Sequence, residues 1–240
     1  MAGGDRRHRR DQRADPVTFS LIARDAATGA FGIAISSSSP AVAARCAHAR
    51  AGVGVVASQN VTNPALGPQI LDALATGSDA AAALTGALAT ERFPDYRQLL
   101  VVDVHGNTAI HSGSQSLGVH THATGDHAAA AGNLLADEDI IGALLAGYAD
   151  SAADAFEERL LDGLRAALTA GGEASPVHSA GLMVVEDVSW PVTDLRIDYS
   201  DNPIDDLVAL WQRWQPQKND YRVRGVDPTR APSYGVAGDL

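Results

Sequence analysis

Thr18 is the first residue in the chain whose type and place could do chemistry. It lies in the stretch Pro16-Val-Thr-Phe-Ser-Leu-Ile-Ala23, which has the near alternation of a strand. A threonine hydroxyl at a chain start can act as a nucleophile, because its own α-amine is at hand to take the proton. The alternative is an ordinary strand threonine, a residue type that strands favour anyway. Gln59 and Asn60 follow the apolar run Gly52-Val-Gly-Val-Val-Ala-Ser58, at the exit of an expected buried strand. Sites often collect their hydrogen-bonding groups at such exits, although an ordinary satisfied loop reads the same way.

Other candidates are weaker. His105, His111, His120, His122 and His127 cluster in sequence, but no HExxH occurs, so a solvated His-rich loop competes with a metal site. No GxSxG elbow and no GxxxxGK[ST] loop is present. The single cysteine, Cys46, rules out an internal disulfide framework and lies in a helical pattern as a buried structural thiol.

These residues need elements to position them. Strands are expected over 18–23 and 30–36, joined as a hairpin by a turn ending at Gly29. A helix over 41–50 follows, with Ser39 as N-cap and Pro40 in its first turn. After the strand at 52–58 come helices over 67–74 and 79–90, with Ser78 as the cap of the second. Strands are expected over 96–104, 108–113 and 126–131. Helices follow over 134–150 and 154–170, the latter with Phe156, Leu160, Leu161, Leu164 and Leu168 on one stripe. Strands over 179–186 and 192–199 and a helix over 201–214 complete the series. Helices in blocks between runs of strands predict an α+β fold with a largely antiparallel sheet, in one domain over 17–214.

The 240 residues carry a net charge of −11, yet the first 16 hold five Arg and three Asp. That start is expected to be a disordered basic extension. The acidic remainder argues against nucleic-acid binding, which needs clustered Lys and Arg. No apolar run approaches the ~20 residues that span a bilayer, and the basic start has no apolar core, so no membrane partner and a cytoplasmic location are expected. Residues 215–240 read as an irregular C-terminal arm packed on the domain or on a second subunit, hence an expected homodimer or larger assembly.

Several separated motifs resemble one bacterial family, the domain of unknown function 1028. They are Thr18-Phe-Ser-Leu-Ile-Ala23, Gly32-Ile-Ala-Ile-Ser36, Ala49-Arg-Ala-Gly-Val-Gly54, Ser58-Gln-Asn60, Asn63-Pro-Ala-Leu-Gly67, Tyr96-Arg-Gln-Leu99, Ala131-Gly-Asn-Leu-Leu135 and the terminal Pro232-Ser-Tyr-Gly-Val236. The family is assigned to the N-terminal nucleophile (Ntn) hydrolase superfamily. The resemblance implies a four-layer αββα sandwich of two antiparallel sheets with helices outside. It also implies hydrolysis of a small amide-type (C–N) substrate through an acyl-enzyme, with neither metal nor organic cofactor.

Mapped onto that layout, Thr18 is the nucleophile, and Ser37 and Ser38 end the neighbouring strand where they can orient its hydroxyl or amine. Gln59, Asn60 and Asn133 are uncharged amides of the kind an oxyanion hole requires. Arg45 can bind a substrate carboxylate as a bidentate fork. One departure stands out. Behind Val17, the Thr18 nitrogen is an amide and not a base. Either the chain is cut between Val17 and Thr18, or translation starts at the Val17 codon, read as Met, and that Met is trimmed. A non-catalytic binding or assembly protein keeping the same fold is the alternative from another class.

Overall fold

The computed structural model describes residues 18–236; the expected basic extension, the Val17–Thr18 junction and residues 237–240 lie outside them. Strand β1 (Thr18–Arg24) turns back on β2 (Phe31–Ser37) as expected. The turn is tied by Asp25, whose carboxylate accepts from the Ala27 N–H and the Thr28 hydroxyl. A short helix α1 (Val42–Cys46) leads to β3 (Ala47–Arg50) and β4 (Gly54–Asn60). Then come α2 (Leu66–Ala75), α3 (Ala80–Thr90), β5 (Arg97–Asp103), β6 (Thr108–Ser112), β7 (Thr121–Gly125) and β8 (Ala128–Asn133). The chain continues through α4 (Ile140–Ala149), α5 (Phe156–Thr169), β9 (Ser179–Val185), β10 (Thr193–Ile197), α6 (Pro203–Trp214) and α7 (Lys218–Val226).

The strands form two antiparallel sheets, one ordered β10-β9-β2-β1-β8-β7 and the other β3-β4-β5-β6. Side-chain alternation along each strand sorts the interior into three cores. Phe19, Leu21 and Ala23 of β1 pack with α4, α5 and α6. Ile22, Ile33, Ile35, Val55, Ala57, Leu100 and Val102 fill the space between the sheets. Val56, Leu99 and Val101 face α2 and α3. The result is the four-layer αββα sandwich that the resemblance implies. Each fully buried Leu, Ile or Phe adds about 1.5–3 kcal/mol to it. Gly32 lets α5 close on β2: a Cβ there would meet Leu160 and Phe156 atoms at 2.5 and 2.8 Å.

Local differences from the sequence reading have local causes. The expected helix over 41–50 ends at Cys46, and Ala47–Arg50 instead forms an edge strand on β4. Ala-rich sequence does not separate these states; the partner strand decides. Ser39 is not the N-cap of α1: Ala41 takes that place, in the left-handed region. The cap of α3 is Asp79, accepting from Ala82 N, and not Ser78. Strand β7 was not legible, because Thr121-His-Ala-Thr-Gly125 is an exposed edge without a buried face. Lys218–Val226 is helical where irregular chain was expected. It docks on its own domain through Lys218, which bridges Glu157 and Glu186 at 2.9 and 2.7 Å, and through Tyr221 stacked on Trp214. No helix among the described residues is long and apolar enough to cross a membrane.

Candidate functional site

β1 is a central strand, and Thr18 is its first described residue. In register, Thr18 pairs with Ser37 of β2 on one side and Asn133 of β8 on the other. The same end of the second sheet carries Gln59, Gln98 and Ser112 on β4, β5 and β6. Alternation turns Thr18, Ser20, Ser37, Gln59, Gln98 and Asn133 into the space between the sheets, where all are buried. A polar end thus closes an otherwise apolar sandwich interior.

These groups form two connected sets. In the first, the Thr18 hydroxyl donates to Ser37 Oγ at 3.2 Å, and Ser37 Oγ lies 3.0 Å from Ser39 Oγ. Arg45 Nη2 donates to Ser39 Oγ, while Arg45 Nη1 donates to Ala41 O at 2.9 Å. A row of hydroxyls therefore runs from Thr18 to a guanidinium. Ser39 is available for it because it does not cap α1.

In the second set, Ser20 Oγ donates to Gln59 Oε1 at 2.6 Å, and Gln59 Nε2 donates to Gln98 Oε1 at 2.8 Å and to Ala131 O at 3.2 Å. Gln98 Nε2 donates to Ser112 Oγ and Gly132 O, each at 3.1 Å. Asn133 Nδ2 also donates to Gln98 Oε1, at 3.1 Å. Both Gln59 and Gln98 thus spend every N–H of their amides. Asn133 does not: one Nδ2 hydrogen is unspent, and its buried Oδ1 has no hydrogen-bond partner. It is the amide beside Thr18 with capacity left for a ligand.

Asn60 is placed elsewhere. Its side chain points to the loop side of β4, donating from Nδ2 to Tyr96 O at 2.7 Å and accepting at Oδ1 from Leu117 N at 3.3 Å. It pins residues 113–120, which cross from β6 of one sheet to β7 of the other at this end. Leu117 O and Val119 O in turn accept from Leu134 N and Leu135 N, both at 2.9 Å. Gly118 allows this crossing: its φ is +58°, and a Cβ would strike Leu134 at 2.5 Å. Arg45, expected to grip a carboxylate, directs its fork into its own chain instead. Ser38 lies buried next to Ser37, and its N–H donates to Glu173 Oε2 at 2.9 Å.

Sequence reasoning missed Gln98, Ser20 and Glu173. Gln98 had a signal, as an uncharged polar residue directly abutting the buried run Leu99-Leu-Val-Val102. Glu173 had none, since Gly171-Gly-Glu-Ala-Ser-Pro176 reads as an exposed loop. Burial pushes its carboxyl up to about 9, against the pull of its hydrogen bonds from Ser38. Burial likewise pushes the Cys46 thiol up, so that it stays protonated. The histidines do not converge: His111 meets Pro94 O at 2.9 Å and His120 meets Gly118 O at 3.1 Å. Among the described residues, no three His, Cys, Asp or Glu side chains gather as a ligand set.

The family of unknown function (DUF1028) matches residues 18–207, and the chain belongs to that family. A crystal structure of protein SPO2555 from Silicibacter pomeroyi, of the same family, is similar with a TM-score of 0.77 and 33% identity, covering 82% of this chain and 88% of that one. Anbu (ancestral beta-subunit) from Yersinia bercovieri matches at 12% identity and a TM-score of 0.37 over 91% of this chain and 100% of that one, a level that carries no argument. None of the curated proteins matches.

Proposed function

We propose that this member of the family hydrolyses a small amide-type bond with Thr18 as nucleophile, once the Thr18 α-amine is free. The observation that carries the reading is the place of Thr18. It lies in a central strand of an αββα sandwich, with its side chain between the sheets, its hydroxyl on Ser37 and the unsatisfied amide of Asn133 on its other side. The Thr18 amine takes the hydroxyl proton as Oγ bonds to the substrate carbonyl carbon. Asn133 Nδ2 donates to the oxyanion. The C–N bond then breaks, the leaving nitrogen takes the proton from the ammonium, and water releases the acyl group from Thr18 by the same steps.

Ser37, Ser39 and Arg45 hold the hydroxyl and carry positive potential towards it. Gln59 and Gln98 set the Asn133 amide, and Asn60 sets the loop, so these three are positioning residues. Hydroxyls and amides line the polar end, which suits a small, polar, uncharged amide. Ser38 completes the wall on the β2 side.

One observation favours the second reading, a binding or assembly protein on the same fold: Thr18 is only 5% exposed. The two readings part on covalent chemistry. The wild-type protein, Thr18→Ala and Thr18→Ser are incubated with p-nitrophenyl acetate and mapped by mass spectrometry. Hydroxylamine-labile acyl esters on Thr18 and on the serine variant, with none on the alanine variant at that position, are expected. A free Thr18 amine without labelling supports the binding protein instead.

A further inference from the structure

Glu173 lies at the end of the sheet that carries Thr18. Strand β1 is flanked by β2 and β8, whose next residues past Thr18's partners are Ser38 and Leu134. The segment carrying Glu173 is tied to both sides. Ser38 N donates to Glu173 Oε2 at 2.9 Å, Ala174 N donates to Leu134 O at 3.2 Å, and Leu135 bridges to Glu173 as an isolated β pair. It therefore links the ends of the two strands that flank Thr18. Glu173 is 7% exposed, and its Oε1 is buried without a hydrogen-bond partner. A buried carboxyl oxygen left unpaired costs stability unless a donor comes to it.

We propose that Glu173 is the receptor for the α-amine of Thr18: its open oxygen takes the ammonium of the mature chain, fixes the amine beside the nucleophile and sets the pH at which that amine becomes a base. This rests on the proposed function, which requires the free amine. In the chain as it stands, burial keeps the carboxyl neutral. A docked ammonium reverses the preference, favouring carboxylate and ammonium together, so the amine titrates above its ordinary range of ~7.7–8.0.

Other charged groups near this corner are directed elsewhere. His178 gives its backbone N–H to Ser37 O and its ring to Ser200 O and Asp201. Arg45 is bound to Ser39, and Asp137, Glu138 and Asp139 after Leu135 are exposed. Among the described residues, burial and Ser38 set the state of Glu173.

The test uses protein expressed from its own gene, as wild type, Glu173→Gln and Glu173→Asp. Carbamylation of the N-terminal residue by cyanate is followed against pH by mass spectrometry. The wild-type Thr18 amine should titrate about one pH unit or more above that of Glu173→Gln, with Glu173→Asp in between. Equal midpoints in the folded variants overturn the inference, whereas p-nitrophenyl acetate still labelling Thr18 leaves the proposed function standing. If Glu173→Gln does not fold, Glu173→Asp decides: an unshifted midpoint overturns the inference. A mature chain with no amine at Thr18 overturns both.

Discussion

Replacing Gln98 by Leu should unravel the amide set behind Thr18, and its cost can be worked from the bonds it carries. Gln98 makes four: it accepts from Gln59 and Asn133 and donates to Ser112 and Gly132. In Gln98→Leu, Gln59 keeps Ala131 O, but Asn133 Nδ2 loses its acceptor inside a fully buried site. A stranded buried donor costs about 1–3 kcal/mol, and each ordinary bond lost costs about 0.5–1.5 kcal/mol. Less the gain from burying an apolar Leu, the total is about 1–5 kcal/mol. Gln59→Leu removes the shared bond too, so the double variant should fall short of additivity by about 1–2 kcal/mol. Urea unfolding of the four proteins in the cycle measures this. Additivity within about 0.5 kcal/mol would show that the two amides act independently and would refute the network.

Two further predictions concern the loops that frame the site. Burial by itself raises the Glu91 carboxyl, but the Asn63 amide, the Phe93 N–H and Arg97 outweigh it and hold it at about 2, below the ordinary 4.5. A depressed folded value stabilises above the unfolded pKa, so this contribution should be present above pH 4.5 and vanish as pH falls to about 2. Glu91→Gln should flatten that part of the stability profile in denaturant titrations at stepped pH. Asn60→Ala removes the anchor of residues 113–120; amide hydrogen exchange in that segment should quicken by about tenfold while the strands stay protected. An unchanged rate there would show that the loop is held without Asn60.

The α+β class was legible because alternation and the helix stripe of Phe156, Leu160, Leu161 and Leu164 report burial directly, whereas the four-layer arrangement followed from the family resemblance. Thr18, Ser37 and Asn133 were legible as strand-end residues, and the register brings them side by side. What failed depended on contacts distant in sequence. Ala47–Arg50 became a strand because β4 lies beside it, and α7 formed although Lys218-Asn-Asp-Tyr-Arg-Val-Arg-Gly-Val226 has no apolar stripe, because Glu157 and Glu186 hold Lys218. Asn60 and Arg45 have the residue types of a binding site, but their side chains are spent on loop and helix ends. Glu173 was hidden for the opposite reason: a loop-like sequence is tied to the ends of two strands and buries a carboxyl.

The central claim is a free α-amine on Thr18, and the most direct measurement is the N-terminus of the mature protein. The native gene, with its natural upstream sequence, is expressed, and the purified protein is subjected to N-terminal sequencing and intact-mass analysis before and after acylation. The account predicts a chain beginning Thr18-Phe19-Ser20 that gains one acyl group on Thr18. A mature chain that begins ahead of Thr18 and still turns over an amide substrate would contradict it.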